Sequence, residues 1–397
     1  MPRPTLFLSA GEVSGDMHGA HLARAILALR PDVRLVGVGG PRMAEAGVEI
    51  LADVIAHSAV GLTENLPHVM PVMKAFKQAR AEVEALRPEA VVLIDYQGAN
   101  MALAQHARKL GLKTVYYITP QEWLWGFKRG PAQVAKGVDH LLCVFEREAE
   151  VYREAGGRVS FIGHPLLDIL ATDPVPAFPG VGGHAVSAAS TDRPVVALLP
   201  GSRPQEVRTL LPAFLGAARR VLETLPEAVV LLPIAGAHLR DEVSERVAES
   251  GLPITVVDGQ AQSVLRAAHV VVAASGTVTL EAAILGVPCI AAYKVSWLTA
   301  FLAKRLLKVR HVTLPNIVAG REVIPEFLQE RANAEELGQA VLRLLGDPGA
   351  RAEMKREMAG VRELLGQPGA IERAARAILA DAGLKPHGDK AELGAGV

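Results

Sequence analysis

The sequence predicts an α/β protein of two doubly wound domains that face a central cleft, and three observations lead to this fold class. The chain has 397 residues, more than a single hydrophobic core usually supports. Short apolar runs alternate with longer helical patterns in both halves, which is typical of parallel sheets covered by helices. A stretch at 172–194, rich in Pro, Gly, Ser and Ala, separates the halves and predicts a linker. Two such halves would place a cleft at the carboxyl ends of their strands.

The elements follow in order along the chain. In the first half we expect strands in TLFLSA, RLVGVG, AVVLID, KTVYYI, HLLCVF and VSFIG, with helices at 17–29, 70–86, 100–110 and 146–155. In the second half we expect strands in PVVALLPG, AVVLLPIAG, PITVVDG, HVVVAASG and PCIAAYK, with helices at 205–223, 237–250 and 278–286. The predicted domains therefore cover 1–171 and 195–345. Helices at 346–382 are expected to pack back on the first domain, and 383–397 to form a disordered tail.

Composition excludes several classes of protein. Lys and Arg together number 42, as do Asp and Glu, so no overall field attracts nucleic acid. The two cysteines, Cys143 and Cys289, lie in apolar runs without metal-ligand spacing, which predicts buried thiols in a reducing compartment. No apolar run is long enough to predict a transmembrane helix. We therefore expect a cytoplasmic protein.

The second half has the better phosphate-binding signals. No P-loop sequence is present, and GVGGPRM in the first half has Arg42 where a dinucleotide fingerprint needs glycine, so a tight strand-to-helix turn is the better interpretation. In the second half, small residues and an arginine stand between a strand and a helix, where backbone N–H groups and the helix dipole favour an anion. Ordinary helix N-caps are the alternative. The candidates are Gly201, Ser202 and Arg203; Ser275, Gly276 and Thr277; Glu281, one turn later, for ribose hydroxyls; and Gly259 and Gln260 for a base edge.

Several sequence blocks carry a family resemblance. AGEVSGDMHG, GVGGPRM, LIDYQGAN, YYITPQEWLWGFKR, FIGHP, LLPGSRPQEV, ASGTVTLEA and LPNIVAGREVIPEFLQ occur in the expected order from about residue 6 to about 330. Together they resemble the lipid-A-disaccharide synthase family. The resemblance implies an inverting glycosyltransferase with two Rossmann-like domains in the GT-B arrangement. It also implies transfer of diacylglucosamine from UDP to the 6-hydroxyl of lipid X, an acylated glucosamine 1-phosphate.

The resemblance also implies residue roles. Asp95 matches the proposed general base, and a carboxylate at a strand's carboxyl end can accept a hydroxyl proton. The alternative is an N-cap for the helix near Gly98. Asn316 and Arg321 become candidates for the donor site, with turn chemistry as the alternative. The chain departs from the family's Pro-Asp-Phe-Asn run after the aspartate, where it has Tyr96, Gln97, Gly98, Ala99 and Asn100, and it carries Glu122 as an additional carboxylate. These changes fall around the expected acceptor site.

The opening loop is interpreted as part of that acceptor site. Glu12, Ser14 and Asp16 can accept hydrogen bonds from sugar hydroxyls, although Asp16 could instead cap its helix. Asn100 and Trp125 are further acceptor-side candidates. Trp123 and Trp125 could stack on a ring or fill space, and His164 is more typical of a loop histidine bound by the backbone.

Two segments are candidates for membrane contact. In SWLTAFLAKRLLKVRH, helical spacing brings Trp297, Phe301, Lys304 and Lys308 to one face, as in an interfacial helix on anionic lipid. An exposed helix whose aromatics fill a gap is the alternative. The Met-bearing segment 60–76 could form a lid or an acyl pocket, or simply a loop over the core.

The expected partners follow from these points. We expect UDP-diacylglucosamine and lipid X as substrates, attachment to the inner face of the cytoplasmic membrane and no nucleic acid. We also expect no metal cofactor, since the sequence has no D-x-D pair and no histidine–carboxylate cluster with metal-ligand spacing. A homodimer is left open. Two rival functions remain: a UDP-sugar 2-epimerase, and a non-catalytic nucleotide-sugar or lipid-binding protein.

Overall fold

The computed structural model of the protein describes residues 3–53, 66–124, 129–172, 178–179, 185–186, 193–295 and 310–387. The chain divides into two compact units. Residues 1–168 together with 366–397 form the N-terminal unit, and residues 169–365 form the C-terminal unit. The chain leaves the N-terminal unit within one helix and returns to it for its last helix.

The N-terminal unit is built on a seven-stranded parallel sheet in the order β3-β2-β1-β4-β5-β6-β7. Its strands are β1 (Thr5–Ala10), β2 (Arg34–Gly39), β3 (Glu49–Asp53), β4 (Ala90–Ile94), β5 (Lys113–Tyr117), β6 (His140–Cys143) and β7 (Val159–Phe161). Its helices are α1 (Val13–Leu29), α2 (Pro41–Glu45), α3 (Leu66–Leu86), α4 (Gln97–Lys109), α5 (Arg129–Gly137) and α6 (Glu146–Glu154). The central strands β1 and β4 are buried almost throughout, as expected for a parallel sheet with helices on both faces.

The C-terminal unit is built on a six-stranded parallel sheet in the order β12-β11-β10-β13-β14-β15. The chain enters it through α7 (Leu166–Thr172) and two two-residue strands that pair with each other, β8 (Phe178–Pro179) and β9 (Ala185–Val186). The sheet strands are β10 (Val195–Leu199), β11 (Val229–Ile234), β12 (Ile254–Asp258), β13 (Val270–Ala274), β14 (Cys289–Tyr293) and β15 (Glu326–Leu328). The helices are α8 (Pro204–Thr224), α9 (Arg240–Ser250), α10 (Ala261–Ala267), α11 (Thr277–Leu285), α12 (Leu314–Ala319), α13 (Ala334–Gly346) and α14 (Pro348–Leu364).

The last helix, α15 (Ala370–Asp381), belongs to the N-terminal unit, where it packs on α1. Helix α14, directly before it, belongs to the C-terminal unit. The helices grouped together at 346–382 from the sequence are therefore divided between the two units. The point of division is the turn at Gly366. A Cβ at this position would lie 3.1 Å from the Cα atom of Gly163, which leaves little room for a side chain.

Both sheets are doubly wound, which confirms the predicted fold class. In the N-terminal unit the chain builds outwards from β1 to β3 and then returns to place β4 beside β1, with Ala10 opposite Ile94. In the C-terminal unit β13 returns beside β10 in the same way, with Leu199 opposite Ala273. These reversals are the topological switch points at which such sheets bind ligands beyond the carboxyl ends of their strands.

Every strand expected from the apolar runs is present. The structure adds the paired two-residue strands β8 and β9 in the stretch predicted as a linker, and one further strand in each parallel sheet. Strands β3 and β15 lie at the sheet edges and are short and only partly buried, so they carry little apolar signal. Helix α4 begins at Gln97 rather than near residue 100. Among the described residues, no helix is long and apolar enough to cross a membrane.

Candidate functional site

A strained turn follows the central strand β4. Asp95 and Tyr96 are consecutive and neither is glycine, yet their φ angles are 50° and 47°. Each such left-handed residue costs on the order of 1 kcal/mol or more unless its surroundings enforce it. The strain lies at the switch point of the N-terminal sheet, where parallel sheets place their functional side chains.

Buried hydrogen bonds hold this turn in place. The carbonyl oxygen of Asp95 accepts from Asn100 Nδ2 at 2.8 Å and from the Tyr116 hydroxyl at 2.7 Å. The Asn100 side chain is fully buried, donates also to the carbonyl oxygens of Ser9 and Ile94, and accepts from Ser9 Oγ at 2.7 Å. Asn100 therefore acts on the shape of the turn, and its predicted role as an acceptor-side ligand would require these bonds to be exchanged.

Both oxygens of the Asp95 carboxylate accept hydrogen bonds. Oδ1 accepts from the backbone N–H of Tyr96 at 2.9 Å, and Oδ2 accepts from Ser14 Oγ at 3.1 Å. Donors at both oxygens favour the charged form of a carboxylate. A carboxylate fixed in this way can, in its ionised form, accept a proton from a substrate hydroxyl.

The Tyr96 ring packs between Phe76 and Gly11. It stacks with Phe76 at a centroid distance of 6.0 Å. It also lies so close to Gly11 that a Cβ at that position would come within 2.1 Å of the ring. Glycine at position 11 is therefore a packing requirement of Tyr96. Burial raises the pKa of the Tyr96 phenol, and the negative charge of Glu12 raises it further, so Glu12 lies within electrostatic reach of this ring.

Asp16 has a different role from the predicted sugar contact. Its carboxylate is buried and accepts hydrogen bonds from the backbone N–H groups of Gly40 at 2.9 Å, Met43 at 3.1 Å and Arg42 at 3.1 Å. Asp16 thus caps the start of α2, a helix other than its own. The GVGGPRM run is a strand-to-helix turn, as expected, and these N–H groups of its loop are occupied by Asp16 rather than available to a phosphate.

The two predicted phosphate loops of the C-terminal unit lie on neighbouring strands. Gly201, with φ 121°, follows β10, and Arg203 is the N-cap of α8 with its guanidinium exposed and 3.3 Å from Glu206. Gly276 is the N-cap of α11, after β13, and nothing lies within 4 Å of where its Cβ would stand. The helices α8 and α11 therefore begin side by side at the switch point. Two neighbouring helix N-termini suit the binding of a diphosphate, because their N–H groups and dipoles favour negative charge.

The remaining candidates of this unit surround the same sheet edge. Thr277 opens α11 and Glu281 lies on the same helix one turn later. Ser202 lies between Gly201 and the N-cap of α8. Ser275 Oγ donates to the carbonyl oxygen of Val312 at 2.9 Å, so its side chain is used within the unit. Gly259 and Gln260, both with positive φ, form the turn between β12 and α10.

Comparison with known proteins decides the family. The family model described as "Lipid-A-disaccharide synthetase" matches residues 6–380. A lipid-A-disaccharide synthase of Geobacter sulfurreducens is 39% identical over 377 residues, covering 94% of this chain and 96% of its own length. One of Myxococcus xanthus is 37% identical over 378 residues, covering 95% of this chain and 97% of its own. This chain belongs to the lipid-A-disaccharide synthetase family. It is therefore an enzyme, a glycosyltransferase of lipid A biosynthesis, as the sequence motifs predicted.

Solved structures support the fold of this lipid-A-disaccharide synthetase family member. A UDP-GlcNAc 2-epimerase from Neisseria meningitidis bound to UDP-GlcNAc has a TM-score of 0.65 at 12% identity, covering 95% of this chain and 100% of that one. MurG of Acinetobacter baumannii has a TM-score of 0.53 at 14% identity, covering 96% and 100%. At these identities the likeness concerns the fold alone.

The segment in which this family member departs from the usual motif is well ordered by its own contacts. Gln97, the first residue of α4, donates through its side-chain amide to Glu122. The Glu122 carboxylate lies against Gly130 in the first turn of α5, where a Cβ would collide with it. The additional carboxylate thus bridges the starts of α4 and α5.

Asn316 holds a loop in the lipid-A-disaccharide synthetase fold. Its side chain is fully buried; Oδ1 accepts from the N–H groups of Val323 at 2.7 Å and Ile324 at 3.0 Å, and Nδ2 donates to the Ile324 carbonyl at 2.8 Å and to Glu326 at 2.9 Å. Glu326, which the sequence analysis did not single out, also accepts from the hydroxyl of Thr313 at 2.7 Å. A direct contact between Asn316 and a nucleotide would require these bonds to break.

Two other candidates, Arg321 and His164, also have internal partners, as does Gln329 in the same motif as Arg321. The exposed Arg321 forms an ion pair with Glu357. Gln329 exchanges two hydrogen bonds with the backbone of Val295, both of 2.9 Å. The Nδ1 atom of His164 accepts from the N–H of Leu166 at 3.2 Å, and burial lowers the pKa of His164 to about 3, so this imidazole is neutral at physiological pH.

Several predicted residues lie outside the described part of the chain. They are Trp125, the proposed membrane face of Trp297, Phe301, Lys304 and Lys308, and residues 60–65 of the 60–76 segment. Trp123 is described, and its ring lies 6.1 Å from that of Phe145 within the N-terminal unit. Across the described ranges, no group of three or more His, Cys, Asp or Glu side chains is arranged to hold a metal ion.

Proposed function

We propose that this enzyme transfers 2,3-diacylglucosamine from UDP to the 6-hydroxyl of 2,3-diacylglucosamine 1-phosphate (lipid X), with release of UDP. The observation that carries the proposal is the Asp95 carboxylate, fixed on both oxygens at the switch point of the N-terminal sheet. Family membership supports the reaction class.

Asp95 is the general base in this proposal. Its carboxylate accepts the proton of the acceptor 6-hydroxyl as that oxygen attacks the anomeric carbon of the donor sugar. The bond from the anomeric carbon to the UDP oxygen breaks with inversion, which gives a β-1,6 linkage. The proton stays on Asp95 until solvent removes it, and the bonding electron pair leaves with UDP.

The C-terminal unit stabilises the leaving diphosphate. The N–H groups at the starts of α8 and α11 and the Arg203 guanidinium offer positive potential where the negative charge develops. In this proposal Glu281 accepts hydrogen bonds from ribose hydroxyls, and the turn at Gly259 and Gln260 contacts the uracil edge. With helix dipoles and an arginine in these roles, we propose that no metal ion takes part.

Acylated substrates reside in a membrane surface, so we also propose peripheral attachment to the inner face of the cytoplasmic membrane. The support is the sequence of the 296–311 segment, whose aromatic and lysine residues suit an anionic lipid surface.

One assay separates this function from its rivals. Purified enzyme is incubated with UDP-diacylglucosamine, with and without lipid X, and released UDP and the disaccharide are quantified in buffer containing EDTA. We expect UDP release that depends on lipid X and persists in EDTA. Epimerisation of a UDP-sugar at C2 without lipid X would support an isomerase instead, and tight nucleotide-sugar binding with no product would support a binding protein. Loss of activity in EDTA, restored by Mg²⁺, would contradict the metal-free mechanism.

A further inference from the structure

Ser14 makes an unusual hydrogen bond for a serine in the first turn of a helix. Such residues commonly bond to the backbone of their own helix. The Ser14 hydroxyl instead donates to Asp95 Oδ2 at 3.1 Å, across 81 residues of sequence. The first turn of α1 can reach that far because it packs closely on the end of β4: a Cβ on Gly15 would lie 3.5 Å from the Ile94 carbonyl oxygen.

Hydrogen bonds already fix the backbone of Asp95, so the orientation of its carboxylate is what further contacts can still change. Asn100 and Tyr116 both donate to the Asp95 carbonyl oxygen, and the backbone N–H of Tyr96 holds carboxylate Oδ1. Ser14 supplies the bond at the other oxygen, Oδ2. Loss of the Ser14 hydroxyl would remove this bond from Oδ2 and loosen the orientation of the carboxylate.

The Ser14 hydroxyl also affects the ionisation of the Asp95 carboxylate. A hydroxyl that donates to an ionised carboxylate stabilises the charged form relative to the protonated form. A general base functions only when ionised, so this bond extends the pH range of activity towards acid.

We propose that Ser14 is a positioning residue for Asp95, whose hydroxyl fixes the orientation of the carboxylate and keeps it ionised, rather than a contact for the acceptor sugar. The proposal deepens the function proposed above and rests on Asp95 as the base. It predicts that Ser14 governs the acid side of the pH profile and the turnover step rather than acceptor affinity.

The first test measures ionisation without turnover. The side-chain carboxyl carbons of aspartate are followed by ¹³C NMR against pH in the wild type, Ser14→Ala and Ser14→Thr, and the Asp95 signal is assigned by its loss in Asp95→Asn. We expect the Asp95 midpoint in Ser14→Ala to lie about half to one pH unit above the wild type, and Ser14→Thr to stay near the wild type. Equal midpoints in the wild type and Ser14→Ala would overturn the proposal, whether or not the enzyme turns over the proposed substrates.

The second test measures kinetics with lipid X as acceptor. In Ser14→Ala we expect a roughly tenfold lower kcat, the acid limb of the kcat profile moved to higher pH, and a KM for lipid X within twofold of the wild type. Val13→Ala serves as the matched control, since Val13 is the adjacent, exposed residue of the same turn, and should behave as the wild type. A variant with a raised KM and an unmoved pH profile would instead make Ser14 a sugar contact and overturn the proposal. Failure of the wild type to release UDP would refute the proposed function, a result separate from the NMR comparison.

Discussion

At the scale of single residues, Asp95 shows which features of the candidate site the sequence predicts and which it does not. Its place after the apolar run AVVLI predicted a carboxylate at a strand's carboxyl end, and that placement is confirmed. The positive φ of Asp95 and Tyr96 could not be predicted, because aspartate adopts it only occasionally and tyrosine has no local preference for it. The turn is stabilised by Asn100 and Tyr116, which are five and 21 residues away in sequence.

Glu148 is a second residue that the sequence conceals. It belongs to the charged run EREAE, which is typical of an exposed helix, yet it is fully buried in α6 and its carboxylate accepts from the Val144 N–H at 3.1 Å. Burial raises the pKa of Glu148 from its ordinary value of 4.5 to about 8. Only the packing of α6 on the sheet distinguishes this glutamate from its exposed neighbours.

The raised pKa of Glu148 predicts a pH-dependent stability. Between pH 4.5 and 8 the folded protein binds a proton that the unfolded chain does not, so stability falls as pH rises through this window. From pH 6 to pH 9 the wild type should therefore lose roughly 2 kcal/mol of unfolding free energy that Glu148→Gln does not lose. Urea denaturation at both pH values measures the difference.

A matched control for this prediction lies on the same helix. Glu150 is exposed and forms an ion pair with Arg147, so Glu150→Gln should lose stability between the two pH values as the wild type does. Identical losses in the wild type and Glu148→Gln would show that Glu148 is already ionised at pH 6.

At the scale of elements, the starts of helices are stabilised by residues of other elements. Asp16, on α1, is an example, because its carboxylate accepts hydrogen bonds at the start of α2. The sequence indicated that Asp16 could cap its own helix, whereas its carboxylate caps α2, whose N–H groups lie 24 to 27 residues further on. Short sequence patterns describe caps within a helix, but a cap between helices depends on the tertiary fold. The same limit applies to Glu326 and Asn316, which together hold the loop around α12.

Removal of the Asp16 cap should destabilise the N-terminal unit. Asp16→Ala would leave the buried N–H groups of Gly40 and Met43 without a partner and remove a charge from the start of α2, at a cost of about 2–4 kcal/mol in unfolding free energy. Glu45→Ala, on the exposed side of the same helix, should change the stability by less than about 0.5 kcal/mol. Chemical denaturation measures both variants. A loss in Asp16→Ala no larger than that in Glu45→Ala would contradict the capping role and return Asp16 to the list of sugar contacts.

At the scale of the whole molecule, the repeated apolar runs were sufficient to predict two parallel doubly wound sheets. Register explains why the predicted phosphate loops come together: Leu199 pairs with Ala273, so the loops after β10 and β13 are neighbours although about 70 residues of chain separate them. The division of the chain is less predictable. Both α14 and α15 are amphipathic helices, and no local pattern shows that one belongs to the C-terminal unit and the other to the N-terminal unit.

The central claim is the proposal that Asp95 is the general base of the glycosyl transfer. It is tested most directly by Asp95→Asn, which keeps the shape of the side chain and can still accept the Ser14 hydroxyl. Lipid X-dependent UDP release and the Kd for UDP are measured on the same preparation. The account predicts a fall in kcat of about 10²–10⁴-fold with the Kd for UDP within twofold of the wild type. Turnover within tenfold of the wild type would contradict it.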